Sequence, residues 1–337
     1  MILVHSYSIA VALCILTMFC WGSWANTLKM EPPSYPFSLF YWDQAAGYLL
    51  LPALVGLTFG SFGHEGRTLF EDLRQGSAGS YGWAVVGGFV FNLANILFMA
   101  ALDIAGMAVA FPIAIGIALV EGVLINYIAQ PKGNPALIFG GVALITLAII
   151  LDGLAYRNCQ SRNNEPGQLV KGISLALSGG ILMGLFYFLV QRSISPSFDR
   201  LQPGTFGPYA AVLVFSAGTF VSNFIFNTWF MGHPVKGPRA TYADYFRSGT
   251  GKSHLIGILG GVIAALGMTS NVIASKAASP AIAYGLGQGG TMIAAIWGVC
   301  IWKETKGASG ATQVMIGFMF AFFLTGLILL VTAMPHS

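Results

Sequence analysis

Residues 110–127 read "AFPIAIGIALVEGVLINY", a run carrying a single charge, Glu121. About 20 consecutive apolar residues cross the hydrocarbon of a bilayer, so this length and composition predict a membrane helix. An ionised carboxylate there is costly and needs a partner, a proton or a water-filled cavity.

The rest of the chain is of the same kind. Of 337 residues, 55% are hydrophobic and 8% charged, against roughly 25% charged in soluble domains. An all-α integral membrane protein is predicted. The net charge of +4 is too small to suggest nucleic acid, and the lysines and arginines fall in hydrophilic gaps. Cys14, Cys20 and Cys300 lie in apolar spans and Cys159 in a loop, which suits small apolar side chains better than disulfides. His5, His64, His233, His254 and His336 lack metal-ligand spacing. No metal or cofactor is expected. The stretch "YSIAVALCILTMFCWGSWA" follows no basic segment and has no cleavage site, so it reads as a span rather than a signal peptide.

Ten stretches have spanning length: 6–27, 36–59, 81–102, 105–128, 135–156, 169–192, 205–230, 254–275, 279–301 and 309–333. Turn-forming gaps such as "KMEPPSYP", "QPKGN" and "RNCQSRNNEPGQ" separate them. The last gap divides the chain into five-helix halves, 1–160 and 161–337. An odd number inserts the second half upside down, so a repeat would be inverted. A shift of 173 residues aligns 68–133 with 241–306, placing "TLFEDLR" (68–74) on "TYADYFR" (241–247), Gly87-Gly88 on Gly260-Gly261 and Gly116 on Gly289. In 67–74, Leu69, Phe70 and Leu73 oppose Arg67, Glu71 and Arg74, as on a helix lying along the membrane surface. The balance of Lys and Arg favours both termini outside the cytoplasm. The expected location is a bacterial inner (plasma) membrane.

"GLGQGG" (285–290) has the spacing of a dinucleotide loop, but it sits in an apolar span with no strand before it. "GTGKS" (249–253) lacks the first glycine of a phosphate loop, position 246 being Phe.

What remains is polar chemistry inside helices. Glu121 shares a face with Ala118 and Gly122, which directs it into protein. It is read either as a proton carrier or as a static, protonated interhelical donor. Asp43, with Gly47 a turn on, either binds a coupling proton or substrate or reaches headgroups beside Trp42. Asn92 and Asn95 share one face, as do Asn223 and Asn227. Asn271, Tyr284, Gln288, Tyr187 and Gln191 complete the set of candidates. Each amide or phenol alone is helix-to-helix glue worth about 0.6–2 kcal/mol. Together they suit a polar cavity for a neutral, multiply hydrogen-bonding solute. Trp21 and Trp24 read as an aromatic belt or as platforms for a sugar or flat heterocycle. Pro112 is expected to interrupt the fourth helix and Gly285, Gly287, Gly289 and Gly290 the ninth, and broken helices at matching places point to a transport site.

"FCWGSWANT", "LTFGSFG" (57–63), "GFVFNLANILFMAALDIAGMAVAFPIAIGIALVEGVLINY", "HPVKG" (233–237), "GGVIAALG" (260–267) and "IWGVCIWKE" (296–304) resemble the drug/metabolite transporter superfamily. Within it they are most similar to the ureide-permease branch and its neighbour, the glucose/ribose/rhamnose porters. The resemblance implies two inverted five-helix repeats and proton-coupled movement of ureides, nucleobases or monosaccharides. It assigns Glu121 no role, because relatives commonly carry an aliphatic residue there. The expectation is a secondary transporter whose cavity is lined by helices one to four and six to nine, with a small polar solute and a proton as partners and a homodimer compatible. Rival readings are an exporter of drugs or organic cations, a passive channel, and a membrane enzyme, for which no nucleophile–base pair or metal cluster is present.

Overall fold

The computed structural model describes residues 1–32, 35–159, 166–235 and 238–334. Among these residues the chain is helical apart from turns and an isolated bridge between Ile194 and Phe206. Thirteen α-helices run in order: α1 (Tyr7–Ser23), α2 (Phe37–Leu57), α3 (Leu69–Gln75), α4 (Ala78–Ala105), α5 (Met107–Ala129), α6 (Pro135–Cys159), α7 (Pro166–Ser193), α8 (Pro208–Gly232), α9 (Tyr242–Ser248), α10 (Gly251–Ala278), α11 (Pro280–Gln288), α12 (Gly290–Ile296) and α13 (Gly310–Thr332). Among the described residues, eight helical segments are long and apolar enough to cross a membrane: α1 with its following turns, α4, α5, α6, α7, α8, α10 and α13. Leu54, Ile128, Phe224, Leu255 and Ile328 are exposed on the outside of the bundle, as side chains facing lipid should be. The division expected at 160/161 lies outside the described residues, as does the end of "HPVKG" at 236–237. Cys159, expected in a loop, ends α6.

Element boundaries recur 173 residues apart. Leu69 and Gln75 bound α3 as Tyr242 and Ser248 bound α9, and Ala78 and Ala105 bound α4 as Gly251 and Ala278 bound α10. The cause is local. Thr68 with Glu71, and Thr241 with Asp244, form capping boxes at the two short helices. Ser77 and Thr250 then cap the long ones. Gly106 (φ 81°) and Ser279 (φ 70°) end them in the same left-handed break.

These breaks correct the expected interruption. Pro112 lies within a continuous α5, in its second turn, where the helix carries the loss of one amide donor. The chain changes direction at Gly106 instead. In the other region the break within the span falls at Gly289, between α11 and α12, with a π-helical turn following at Trp297–Ile301.

α4 packs against α7 and α8, and α10 against α1 and α2. Glycines permit the approach. A Cβ on Gly88 would lie 2.6 Å from the Thr219 nitrogen, and one on Gly261 would lie 2.7 Å from the Tyr48 nitrogen. α6 and α13 pack on each other at the side.

The end holding the N-terminus is tied shut by loops. Asp72 is buried and accepts from Gly207 N (2.6 Å) and Arg67 Nε (2.9 Å). Burial raises its carboxyl, against the opposing pull of Gly207 and Arg67. Gln75 Oε1 accepts from Gly204 N at 2.6 Å, and Ser80 Oγ donates to the Gly204 carbonyl at 2.7 Å. His5 contacts Asp199 (2.8 Å) and Glu65 (3.0 Å). In α3, Leu69 and Asp72 face protein, while Phe70 is exposed. The inward acid has its partners in the neighbouring loop, which amphipathic spacing alone does not reveal.

Candidate functional site

A cavity of about 280 Å³ opens at the end opposite these ties. It draws residues from α1, α2, α4, α5, α7, α8, α10, α11 and α12, and none from α6 or α13. α2 contributes Tyr41, Gln44, Ala45 and Tyr48, one helical face at i, i+3, i+4 and i+7. α4 contributes Phe91, Asn95, Phe98, Met99 and Leu102. Trp21 and Trp24 stand at the end of α1 because the helix tightens there into 3₁₀ turns, Trp24–Asn26 and Leu28–Met30. The broken segment adds Gln288 and Thr291 either side of Gly289.

Aromatic rings close the inner end. Phe91 lies 4.8 Å from Phe186 and 5.5 Å from Tyr48 between centroids. Phe215 packs behind all three, at 5.4–6.1 Å. At the mouth, exposed Lys29 pairs with Glu304 at 2.5 Å and sits 5.1 Å from the Trp302 ring. Tyr156 donates to the other oxygen of Glu304 at 2.5 Å, and Trp302 Nε1 donates to Asn26 at 2.6 Å. These contacts join the start of the broken segment's exit loop to the end of α1.

Of the residues expected at a site, Trp21, Trp24, Asn95 and Gln288 line the cavity. The others lie elsewhere. Asn92, one residue round from the lining face, donates to Ser222 at 2.8 Å. Tyr187 is fully buried, its ring tilted against that of Tyr284 at 5.1 Å between centroids, and the Tyr284 hydroxyl donates to the Met183 carbonyl at 2.8 Å. Asn271 donates to the Ala283 carbonyl at 2.7 Å, bracing the Ser279 break. Gln191 accepts from Lys276 Nζ at 3.0 Å. Asn227 donates to the Ser38 carbonyl at 2.8 Å, while both amide atoms of Asn223 are buried without a partner.

The two carboxylates also stand off the cavity. Asp43 turns toward α9 and α10, where it accepts from the Tyr245 hydroxyl and from His254 Nδ1 at 2.8 Å. Burial and this carboxylate hold the Tyr245 hydroxyl well above its ordinary range, so it remains a donor. Glu121 lies against α7: a Cβ on Gly184 would come within 3.1 Å of its carboxylate. Sequence reasoning missed Gln44, Tyr41, Tyr48, Lys29, Thr219 and Thr291, all on the wall. The spacing of Tyr41, Gln44, Ala45 and Tyr48 was the available signal. No group of three His, Cys, Asp or Glu able to hold a metal occurs among the described residues.

Comparison with known proteins agrees in extent with this whole-chain architecture. The ureide permease family model matches residues 40–166 and 160–333. Ureide permease 1 of Arabidopsis thaliana is 24% identical with full coverage of both chains. Ureide permease 2 of the same plant is 22% identical, again over all of both. A probable ureide permease A3 of Vigna unguiculata is 22% identical over 82% of this chain and 90% of its own. A protein of known crystal structure superposes with a TM-score of 0.65 over 96% of this chain and 98% of its own, at 15% identity, a likeness of fold alone. The relatives are named as permeases rather than enzymes, consistent with the expected absence of catalysis. They are plant proteins, so they lend no support to a bacterial membrane.

Proposed function

Because this chain belongs to the ureide permease family, we propose that it is a secondary active transporter moving a small polar metabolite by alternating access. The solute class is a ureide or nucleobase-type heterocycle, with a monosaccharide as the neighbouring choice. The observation that carries this reading is the composition of the cavity. Indole and phenol rings from Trp21, Trp24, Tyr41 and Tyr48 offer flat faces, while Gln44, Asn95 and Gln288 offer donors and acceptors together. A flat neutral solute with alternating N–H and C=O groups uses both. The volume of about 280 Å³ falls just below the roughly 300–1,000 Å³ of sites for drug-sized ligands.

We count α2, and the α11–α12 run with its π turn, as two further spans, making ten. The 173-residue recurrence then relates two five-helix units, taken as 1–160 and 161–337, of opposite orientation. Each unit's third span seats in the other's first two. The cavity open at one end and tied shut at the other is the arrangement of a carrier caught facing one side. The coupling ion in this reading is a proton, carried by Glu121 or Asp43. Placement beside sugar porters in the wider drug/metabolite superfamily rests on sequence texture. A homodimer remains part of the proposal, to be read from the mass of the solubilised particle. An organic-cation exporter fits less well, because the charged residue on the wall is Lys29 and Asp43 faces away.

The test is a thermal-shift panel of ureides, nucleobases and monosaccharides on the purified protein, since a ligand that binds the folded state stabilises it. Uptake in proteoliposomes follows, with and without an uncoupler. Accumulation against a gradient that collapses with the uncoupler supports the carrier. Equilibration only, insensitive to the uncoupler, is the channel result and refutes it.

A further inference from the structure

Part of the cavity wall is made of matched residues. Phe91 with Ala264 and Ile115 with Gln288 stand 173 residues apart, and Tyr48 with Thr219 stand 171 apart, all on the wall. Packing sets these offsets. Gly261 seats against Gln44 and Tyr48, and Gly88, its counterpart at 173, seats against Phe215 and Thr219, which fixes 171 between α2 and α8. Thr17 Oγ1 donates to the Gly267 carbonyl at 3.0 Å, and a Cβ on Gly179 would lie 3.2 Å from the carbonyl of Ala94, the counterpart of Gly267. Thr17 and Gly179 thus fix 162 between α1 and α7. At this offset Trp21 corresponds to Met183 and Trp24 to Phe186, again with both members on the wall.

The remaining wall has counterparts that the cavity does not reach. Ala45, Phe98, Leu102, Phe111 and Lys29 correspond to Ser216, Asn271, Ser275, Tyr284 and Gln191. Each of these five is 5% exposed or less. Gln191 and Ser275 stand in the last turns of α7 and α10, at the tied-shut end. There Ser275 Oγ and Lys276 Nζ donate to Gln191 Oε1 at 3.4 and 3.0 Å, holding α10 against α7. Asn271 lies directly behind the wall: a Cβ on Gly287 would stand 3.0 Å from its Nδ2. The closed set is not fully satisfied. Asn271 Oδ1 and Ser216 Oγ are buried without a partner, and each such atom destabilises the closed arrangement.

We propose that Ser216, Asn271, Ser275, Tyr284 and Gln191 line the solute's route in the opposite-facing state, as their counterparts line the cavity in this one. The proposal rests on the alternating-access reading above and goes beyond it by naming the second wall. Inverted halves that exchange conformations exchange their walls with them. Two amides, two serine hydroxyls and a phenol give this second wall donors and acceptors together, the chemistry that suits a neutral, multiply hydrogen-bonding solute. The unmet oxygens of Asn271 and Ser216 gain water or solute as partners there. Residues buried and idle in one state are then the contacts of the other.

The experiment uses full-length purified protein with Cys14, Cys20, Cys159 and Cys300 replaced by alanine, and a charged methanethiosulfonate reagent as the probe. Ser216→Cys and Ser275→Cys report the second wall. Leu102→Cys, on the wall of the open cavity, is the positive control. Ala148→Cys, fully buried on α6 and on neither wall, is the negative control. Both serine variants should react more slowly than Leu102→Cys and faster than Ala148→Cys. Gln75→Ala removes the bonds to Gly204 and Thr205 that tie the shut end. It should speed both serine variants by about fivefold or more, as loss of a hydrogen bond made in only one state does. Silence at both serine positions, with and without Gln75→Ala, overturns the proposal, and the uptake assay then tells whether the carrier reading falls with it. Reaction that Ala148→Cys matches, or that Gln75→Ala leaves unchanged, reports general loosening of the bundle and overturns it equally.

Discussion

Gly261→Ala probes the packing that defines the cavity. A methyl there would sit deep inside van der Waals contact of the Gln44 carbonyl oxygen and 2.7 Å from the Tyr48 nitrogen. Both obstacles are backbone, so no side chain can swing aside. α2 must move away from α10. Overpacking of this kind costs about 1–3 kcal/mol. Replacing glycine by alanine in a helix returns roughly 0.5–1 kcal/mol, leaving a net loss of up to about 2.5 kcal/mol. Gln44 and Tyr48 also stand on the cavity wall, so ligand affinity should fall with stability. Thermal unfolding in detergent, with and without the ligand found by screening, reads both. Gly116→Ala and Gly317→Ala are the controls, because a Cβ at either meets nothing within 4 Å; they should be neutral or slightly stabilising. If Gly261→Ala unfolds and binds like the controls, the close α2–α10 seating is wrong.

Other perturbations test other parts. Asn95→Leu and Gln288→Leu each remove an amide from the wall and should weaken solute binding by about 1–2 kcal/mol, or 5- to 30-fold, by titration calorimetry. Asn92→Leu, off the wall, should leave affinity unchanged. Glu121→Gln should abolish uphill uptake while preserving exchange of labelled solute; normal accumulation in this variant removes Glu121 from coupling. Asp72→Ala removes the carboxylate beside Arg67, which keeps its bonds to the Gln202 and Thr205 carbonyls, and leaves the Gly207 amide unmet; it should destabilise by about 1–3 kcal/mol, measured by chemical denaturation. The His5 imidazole is raised above its ordinary value, first by its hydrogen bond to Glu65 and then by Asp199. Its contribution is therefore fully present below the unfolded value, near 6.5, and is lost as pH rises through the higher folded value. A stability difference between the protein and His5→Gln that persists undiminished to alkaline pH contradicts this.

Helix positions were legible because hydrophobic length and turn residues are local properties. The 173-residue shift was legible for a similar reason: Thr68 and Thr241 cap their helices through side chains three residues away. Which face of a helix meets the cavity was harder to read. In "YWDQAAGY" the charged Asp43 drew notice, yet the wall takes its neighbours Tyr41, Gln44, Ala45 and Tyr48, and Asp43 meets Tyr245 and His254 about 200 residues on. In membrane helices polar groups bond wherever two helices touch. Tyr187, Asn271 and Tyr284 accordingly donate to backbone carbonyls. Pro112 misled because proline's effect depends on its distance from the helix start, which is set by Gly106.

The reciprocal seating of α4 on α7 and α8, and of α10 on α1 and α2, bears on biosynthesis. While a ribosome is still making the latter portion, the nascent front portion presents glycine-notched helix surfaces with no mate. Neither portion completes its interior by itself. A premature stop after α6 should thus yield a product recognised by membrane quality-control proteases, whereas two fragments made together in one cell could find each other and restore the whole.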